Sequence, residues 1–441
     1  MLKIYNSLSR KKENLRRGKK TRLFVCGVTV YDSPHIGHAK TYLFFDFFAK
    51  YLRSKKHNLF YLQNITDIDD KVIARAKEKG ILPKSLAKHF EKQYLKEMKA
   101  LKVTSVDKYA RATDHIDEII SQIKRLIKKG AAYEIEDGIY FDIKKFKDYG
   151  KLSRRTVLQA EDGVSRIDVS KGKRNKGDFC LWKFSKPGEP KWKSPFKEGR
   201  PGWHIEDTAI AEKYFGPKYE IHGGGRDLMF PHHEAEIAQM ETISNKKPYV
   251  KYWMHAGFLT VNGQKMSKSL NNFITIDDLL TNHNPRLLRY FLLRNHYRSP
   301  LDYSEKKIAQ AKKELERIDN YLLSLKNAKN SDKRIEKIKK RFEKALEDDL
   351  NTPVAISLIF DAIKTGPSRD ALLFIKEIDK YFNLFISKKE ILPKKIKELV
   401  KKRERERKDR NFEKADETRK EIESLGYKVE DTKKGPKAKK A

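Results

Sequence analysis

The stretch from Phe24 to Asp46, FVCGVTVYDSPHIGHAKTYLFFD, decides the fold. It begins as a β-branched apolar run, passes a turn carrying Ser33 and Pro34, and then changes period. From Gly37 onward Tyr42, Phe45, Ala49 and Leu52 recur at three- and four-residue spacing, which predicts a helix. Strand, sharp turn and helix open a nucleotide-binding α/β sheet, whose first helix aims its N-terminus at ligand phosphates. His35 and His38 fall at this turn, three apart, so one face of the helix start can carry both imidazoles. Their ring nitrogens can donate to charge that develops on a phosphate during displacement. Gly37 between them leaves the backbone open to close approach. Two surface histidines at a helix cap would read the same way, so four residues settle nothing alone.

Further along, Lys265-Met266-Ser267-Lys268-Ser269 follows a hairpin signal, V-N-G-Q, at Val261 to Gln264. Between the two motifs, Phe60 to Lys71 (FYLQNITDIDDK) reads as the second strand, ending on an acidic loop. Its carboxylates either hold a substrate ammonium or cap the next helix, the commoner role. Val72 to Leu101 is helical and basic. From Ala110 to Arg200 the pattern changes to a helix through Ile116 to Lys129, short strands around Tyr133 to Ile143, and a Lys/Arg/Gly-rich turn at Lys171 to Gly177. This is an insertion that splits the sheet, which is expected to resume with Trp203-His204-Ile205-Glu206 and Tyr219-Glu220-Ile221-His222. Gly223-Gly224-Gly225 lacks the Lys and Ser/Thr of a P-loop and reads as a tight loop delivering Asp227 to the site. Leu315, Ile318, Leu322 and Leu325 form a bundle-type seam, and helical periodicity continues to about Phe385. From Lys394 the chain is dense in Lys, Arg and Glu, and its end, TKKGPKAKKA, is expected to be disordered.

The 441 residues suffice for two or three domains with real cores. The net charge of +37, from 98 basic against 61 acidic residues, favours a polyanionic partner such as nucleic acid, although a lysine-biased proteome yields similar values. Cys26 and Cys180 make no disulfide framework, which points to a reducing cytosol. Met1 to Asn14 lacks the apolar core of a signal peptide, and no run approaches membrane-spanning length. A cytoplasmic protein with no membrane association is expected. In Phe230-Pro231-His232-His233-Glu234-Ala235-Glu236, Pro231 suits the first helical position. His232 and Glu236, four apart, share a face, as a surface ion pair or as metal ligands.

H-I-G-H followed by K-M-S-K-S resembles the signature of class I aminoacyl-tRNA synthetases. The members specific for cysteine are similar over nearly the whole length: LKIYNSL, VCGVTVYDSPHIGHAKTY, NITDIDDK, YGKLS, WKSPF, GRPGWHIED, HGGGRDLMFPHHEAEIAQ, KMSKSL, EDDLNTP and KADETRKEIESLGYKVED. The resemblance implies one zinc per chain, held by two cysteines, a histidine and a glutamate. These positions fall on Cys26, Asp207, His232 and Glu236, with Asp207 where the second cysteine is expected. A carboxylate is an acceptable zinc ligand with the formal charge of a thiolate, so Asp207 either ligates or turns away to cap a helix at Thr208. Cys180, in DFCLWK, reads as a small packing residue rather than a substitute. Serine and cysteine are too alike in size for an apolar pocket to separate, which explains the need for zinc.

The resemblance further implies that Trp203 walls the substrate pocket and that Gly27, Thr66, His204 and Asp227 contact the amino acid. His35, His38, Lys265 and Lys268 are the expected catalytic residues, with His35, Gly37, His38 and Lys268 on ATP and Mg2+ accompanying it. Asn271 replaces the usual glycine after S-K-S-L and tolerates left-handed backbone. Contacts to tRNA fall on Arg407, Phe412, Asp416 and Asp431. Phe412 stands where tryptophan is common, either stacking on a base or forming the core of a small module. The last segment, with Gly435-Pro436-Lys437, has no tryptophan, which shifts anticodon reading toward charge.

The fold expected is α/β: a Rossmann-type parallel sheet with a connective insertion, then a helical bundle and a small C-terminal anticodon-binding module. The boundaries are 1–109 and 201–260 for the catalytic halves, 110–200 for the insertion, 261–304 for the K-M-S-K-S region, 305–393 for the bundle and 394–441 for the module. The function implied is ATP-dependent attachment of L-cysteine to tRNA(Cys) by a monomer, through a cysteinyl-adenylate. A cysteine ligase with an amino-sugar acceptor shares both motifs and the zinc site but would not need the C-terminal module. A non-catalytic tRNA-binding paralogue would not need His35, His38, Lys265 and Lys268.

Overall fold

A computed structural model describes residues 1–155, 170–266, 270, 272–385, 393–432 and 435–440. They form a first compact unit running to Phe385 and a second that holds the described residues from Pro393 on.

The first unit opens with an antiparallel hairpin, β1 (Lys3–Asn6) and β2 (Lys11–Asn14). β3 (Thr21–Thr29) then runs through the middle of the molecule, and Leu23, Phe24 and Val25 are fully buried. Helix α1 (Ile36–Ser54) follows after a six-residue turn, as the change of period predicts. β4 (Leu59–Thr66), two helices, α2 (Asp70–Glu78) and α3 (Pro83–Ala100), and β5 (Lys108–Arg111) come next. The stretch expected as one basic helix is broken by Gly80, at φ +63°, and by Pro83 starting α3. Asp69 caps α2 by accepting from Lys71 N, so of the two roles open to this carboxylate it takes capping.

The insertion carries α4 (Ile116–Lys128) and an antiparallel sheet of β6 (Ala132–Ile135), β7 (Gly138–Phe141), β8 (Phe179–Phe184) and β9 (Gly199–Pro201). α5 (Trp203–Phe215) corrects the expected strand at Trp203–Glu206. Residues His204 to Ala211 are buried on every side, which removes the helical alternation that would have distinguished the two. β10 (Tyr219–Gly225), α6 (His232–Ser244) and β11 (Val250–Ala256) complete the core. α6 starts one residue later than expected, with Pro231 as the residue before it. The central sheet is wholly parallel in the order β11-β10-β3-β4-β5. Strand order therefore reverses at β3, and the crevice at the C-terminal ends of β3 and β10 is the switch point where such sheets bind ligands.

The V-N-G-Q signal is the turn of β12 (Leu259–Val261) and β13 (Gln264–Lys265), and β12 also pairs with β14 (Leu301–Tyr303). Helices α7 (Ile276–Asn282) and α8 (Pro285–Leu293) lead to the bundle of α9 (Glu305–Ser324), α10 (Lys333–Glu347), α11 (Thr352–Lys364) and α12 (Arg369–Phe382). Arg289 of α8 and Asp46 of α1 form a buried ion pair at 2.8 Å.

The second unit packs α13 (Lys394–Lys408) and α14 (Phe412–Ser424) on a hairpin of β15 (Tyr427–Thr432) and β16 (Gly435–Lys440), around Leu399, Ile422 and Val429. The expected disorder of the terminal segment is corrected for Gly435–Lys440. Polar composition hid a register in which Ala438 lies opposite Val429.

Candidate active site and metal centre

Cys26 and Gly27 end the buried part of β3. Gly27 is required there, because a Cβ would stand 1.7 Å from the Asn64 carbonyl oxygen. Its N–H donates to Asn64 Oδ1 at 2.6 Å, and Asn64 Nδ2 donates to Asp207 Oδ1 at 2.5 Å. Asp207 comes from α5 and does not cap Thr208. Its other oxygen lies 3.1 Å from His232 Nε2, which is also 3.4 Å from Glu236 Oε1. Cys26 Sγ is 3.8 Å from that same Glu236 oxygen. The four expected ligands thus converge, all buried, with ligand atoms within 4.8 Å of one another.

A second donor set shares Cys26 and Glu236 but takes His222 and His233. Each of these imidazoles places Nε2 3.1 Å from Cys26 Sγ. Sequence reasoning missed both, although His233 follows His232 and His222 precedes the glycine run. Tyr219 Oη holds His222 Nδ1 at 2.6 Å, and His255 Nε2 holds His233 Nδ1 at 2.8 Å. Such outer partners fix the orientation of metal-binding imidazoles.

The cluster fits a cation. Burial and the neighbouring Asp207 carboxylate push the Cys26 thiol up and Glu236 up, and Glu236 Oε2 has no hydrogen-bond partner. His204 Nδ1 sits 2.8 Å from His232 Nδ1. A proton shared there leaves His232 Nε2 as a lone pair facing two carboxylates, an arrangement that a divalent ion stabilises. Burial lowers the pKa of His204, His222 and His233, which keeps these rings neutral.

The other expected residues surround this cluster. Trp203 stacks on His232 with centroids 4.4 Å apart. Thr66 donates its hydroxyl to Glu206, and His204 is engaged by His232, so both abut the cluster through these partners. Gly223–Gly225 are a correction: they end β10, paired with Met254 to Ala256, and the loop begins only at Arg226. A Cβ at Gly223 would stand 2.2 Å from Phe45, so close packing selects glycine there. Asp227 is exposed on the short turn Arg226–Met229.

His35 caps α1 by accepting from Gly37 N at 3.1 Å, while His38 Nδ1 accepts from His35 N at 3.2 Å. The two rings stack at 3.8 Å. Burial lowers His35 to about 4 and lowers His38 as well, so both are neutral donors at pH 7. Tyr42 stacks on His38 at 6.1 Å and donates to the Cys26 carbonyl at 3.3 Å, which joins this helix start to the donor cluster. The downstream motif arrives at the same place: Ile36 N donates to Ile274 O at 3.1 Å, and Ile276 N to Pro34 O at 2.9 Å. Lys265 is exposed at the end of β13. Lys268, with Ser267, Ser269 and Asn271, lies outside the described residues. In the second unit, Asp431 pairs with Arg407 and, at 2.8 Å, with Arg403. Asp416 is exposed, and Phe412 is 59% exposed, which removes it from the core of that unit.

Residues 12–313 match the family of class I (C) tRNA synthetase catalytic domains, 341–365 the DALR domain, and 390–436 the cysteinyl-tRNA ligase anticodon binding domain. A cysteine–tRNA ligase of Thermococcus gammatolerans is 46% identical over 98% of both chains. One of Methanococcus maripaludis is 43% identical over 98% of this chain and 97% of its own. Among solved structures, Mycobacterium tuberculosis methionyl-tRNA synthetase in complex with methionyl-adenylate has the same fold, with a TM-score of 0.62 at 17% identity over 82% of this chain and 89% of that one. With the two motifs spliced at one helix start and relatives this similar from end to end, the chain belongs to the cysteine–tRNA ligase family of class I aminoacyl-tRNA synthetases.

Proposed function

We propose that the chain joins L-cysteine to tRNA(Cys) in two steps. The cysteine carboxylate attacks the α-phosphorus of ATP, which forms cysteinyl-adenylate and releases pyrophosphate. The terminal ribose hydroxyl of the tRNA then attacks the activated carbonyl, and AMP leaves. One observation carries this reading: the neutral His35–His38 pair and the Lys265 hairpin meet directly above a buried Cys/Asp/His/Glu cluster. No protein nucleophile is needed, so catalysis is positioning and charge stabilisation.

In this reading His35 and His38 donate to the triphosphate, Gly37 lets it approach, and Lys265 and Lys268 close over it, with Mg2+ bound to the nucleotide. Trp203 walls the amino-acid pocket. Gly27 and Asp227 take the substrate's polar atoms, while Thr66 and His204 hold Glu206 and His232 in place. Cys26, Asp207, His232 and Glu236 would hold a zinc ion, which supplies a soft Lewis acid that takes sulfur as thiolate and rejects the harder-to-ionise serine hydroxyl. The C-terminal module, through Arg407, Phe412, Asp416 and Asp431, engages the tRNA. The chain acts as a monomer in the cytoplasm, with the domain boundaries near residues 110, 200, 260, 304 and 393. Among the described residues, no helix is long and apolar enough to cross a membrane.

Cysteine-dependent ATP–pyrophosphate exchange followed by tRNA charging tests the reading. Both are expected. Exchange without charging would indicate an amino-sugar acceptor, and no exchange a non-catalytic tRNA binder.

A further inference from the structure

We infer that a cavity beside the metal centre, about 200 Å3 in volume and edged by Tyr5, Ser7, Arg10, Arg226, His255 and Arg298, binds a phosphate group. The N-terminal hairpin builds it. Ser7 N donates to Trp253 O at 2.8 Å, and Trp253 N donates to Asn6 Oδ1 at 3.0 Å, which lays the hairpin along β11. Its turn, carrying Arg10, thereby comes next to Arg226 at the end of β10.

The charges there do not cancel. Arg298 is neutralised by buried Asp349, at 2.6 Å, and lies over the Tyr5 ring at 4.2 Å, so it serves as a wall. The nearby Glu13 carboxylate is taken by Ser9 and, at 3.1 Å, by Asn6. Among the described residues, Arg10 and Arg226 have no carboxylate partner. Two free guanidinium forks on different elements, opening on one concave space, suit a phosphate's oxygens. The back wall adds donors. His255 is 4% exposed, and its Nδ1 lies 2.8 Å from Ser7 Oγ. With Nδ1–H donating to that oxygen, the Ser7 hydroxyl hydrogen is free to point into the cavity.

The cavity is one imidazole removed from the donor cluster, through His255, His233 and Cys26. His35 and His38, which face the ATP phosphates in the proposed reaction, are not part of it. A chain of net charge +37 that charges tRNA must hold the acceptor end beside the adenylate, and a backbone phosphodiester of that end is the occupant. Released pyrophosphate offers the same chemistry from another source. The inference rests on the tRNA-charging reading.

Full-length Arg10→Ala, Arg226→Ala and the double variant test it, Arg10 being remote from Asp227 in the chain. The measurements are the KM for tRNA in charging across a salt series, and cysteine-dependent pyrophosphate exchange. The double variant is expected to raise the tRNA KM about tenfold and to flatten the salt slope by about 0.7–0.9 per arginine removed. Exchange should keep its kcat and its KM for ATP and cysteine. A raised KM for pyrophosphate with an unchanged tRNA KM would assign the site to the free ion and overturn the nucleic-acid source. Wild-type values for tRNA KM, salt slope and pyrophosphate KM would overturn the site itself, as would loss of exchange kcat in both single variants. Failure of wild-type charging would instead remove the reading on which the inference rests.

Discussion

His232 Nε2 and Asp207 Oδ2 face each other at 3.1 Å inside the protein, where the carboxylate occupies the position at which a second cysteine is the expected ligand. The pair gives a definite expectation for substitution. Asp207→Ala should lower metal affinity by at least about 10–100-fold, the loss typical of a supporting group, and by more for a direct ligand. Asp207→Cys should keep one zinc per chain. Metal analysis after dialysis against a chelator checks both, and full metal content in Asp207→Ala would place the residue outside the site.

Lys40 is buried on α1, and its ammonium meets the carbonyl oxygens of Gly257 at 2.7 Å, Ser299 at 2.7 Å and Phe258 at 3.2 Å. Burial pushes its pKa down to about 7, yet three acceptors match the three N–H groups of the charged form. Lys40→Met strands those carbonyls, at a cost of about 3 kcal/mol or more. A thermal midpoint lower by several degrees is expected, and an unchanged midpoint would contradict it.

The stacked histidines make stability depend on pH. In the unfolded chain both titrate near 6.5, whereas burial holds His35 at about 4 and lowers His38 too. Between those values the unfolded chain binds more protons, so stability rises with pH through this window and is fully present above 6.5. The urea midpoint should fall as pH drops from 7 to 5. The fall should be shallower in His35→Asn/His38→Asn. Equal slopes would contradict the assignment.

Phe412 is free to stack on an unpaired base. Phe412→Ala should weaken tRNA binding by about 1–3 kcal/mol, and removal of residues from Arg403 onward should impair charging further. Cysteine-dependent pyrophosphate exchange should be untouched in both. Unchanged charging after the truncation would overturn the role of this module.

The sequence made β3, the turn and α1 legible because a period-two run changes to a helical one at a marked place. It made the ligand quartet legible only through resemblance, since Cys26 and Asp207 lie 181 positions apart and no spacing joins them. Trp203–Glu206 read as strand because a helix buried all round has no polar face to reveal its period. His222 and His233 escaped notice for a related reason: their role depends on two elements, β10 and α6, meeting at Cys26, which no local pattern encodes. The C-terminal hairpin was hidden by composition, because β16 is held by backbone pairing while its side chains are mostly lysine.

The central claim is that this site selects cysteine by binding its sulfur. X-ray absorption at the zinc edge of the full-length chain, before and after adding cysteine, measures that directly. The account predicts a shell with one sulfur, from Cys26, that gains a second on addition of cysteine and does not change with serine. A spectrum unaltered by saturating cysteine would contradict it.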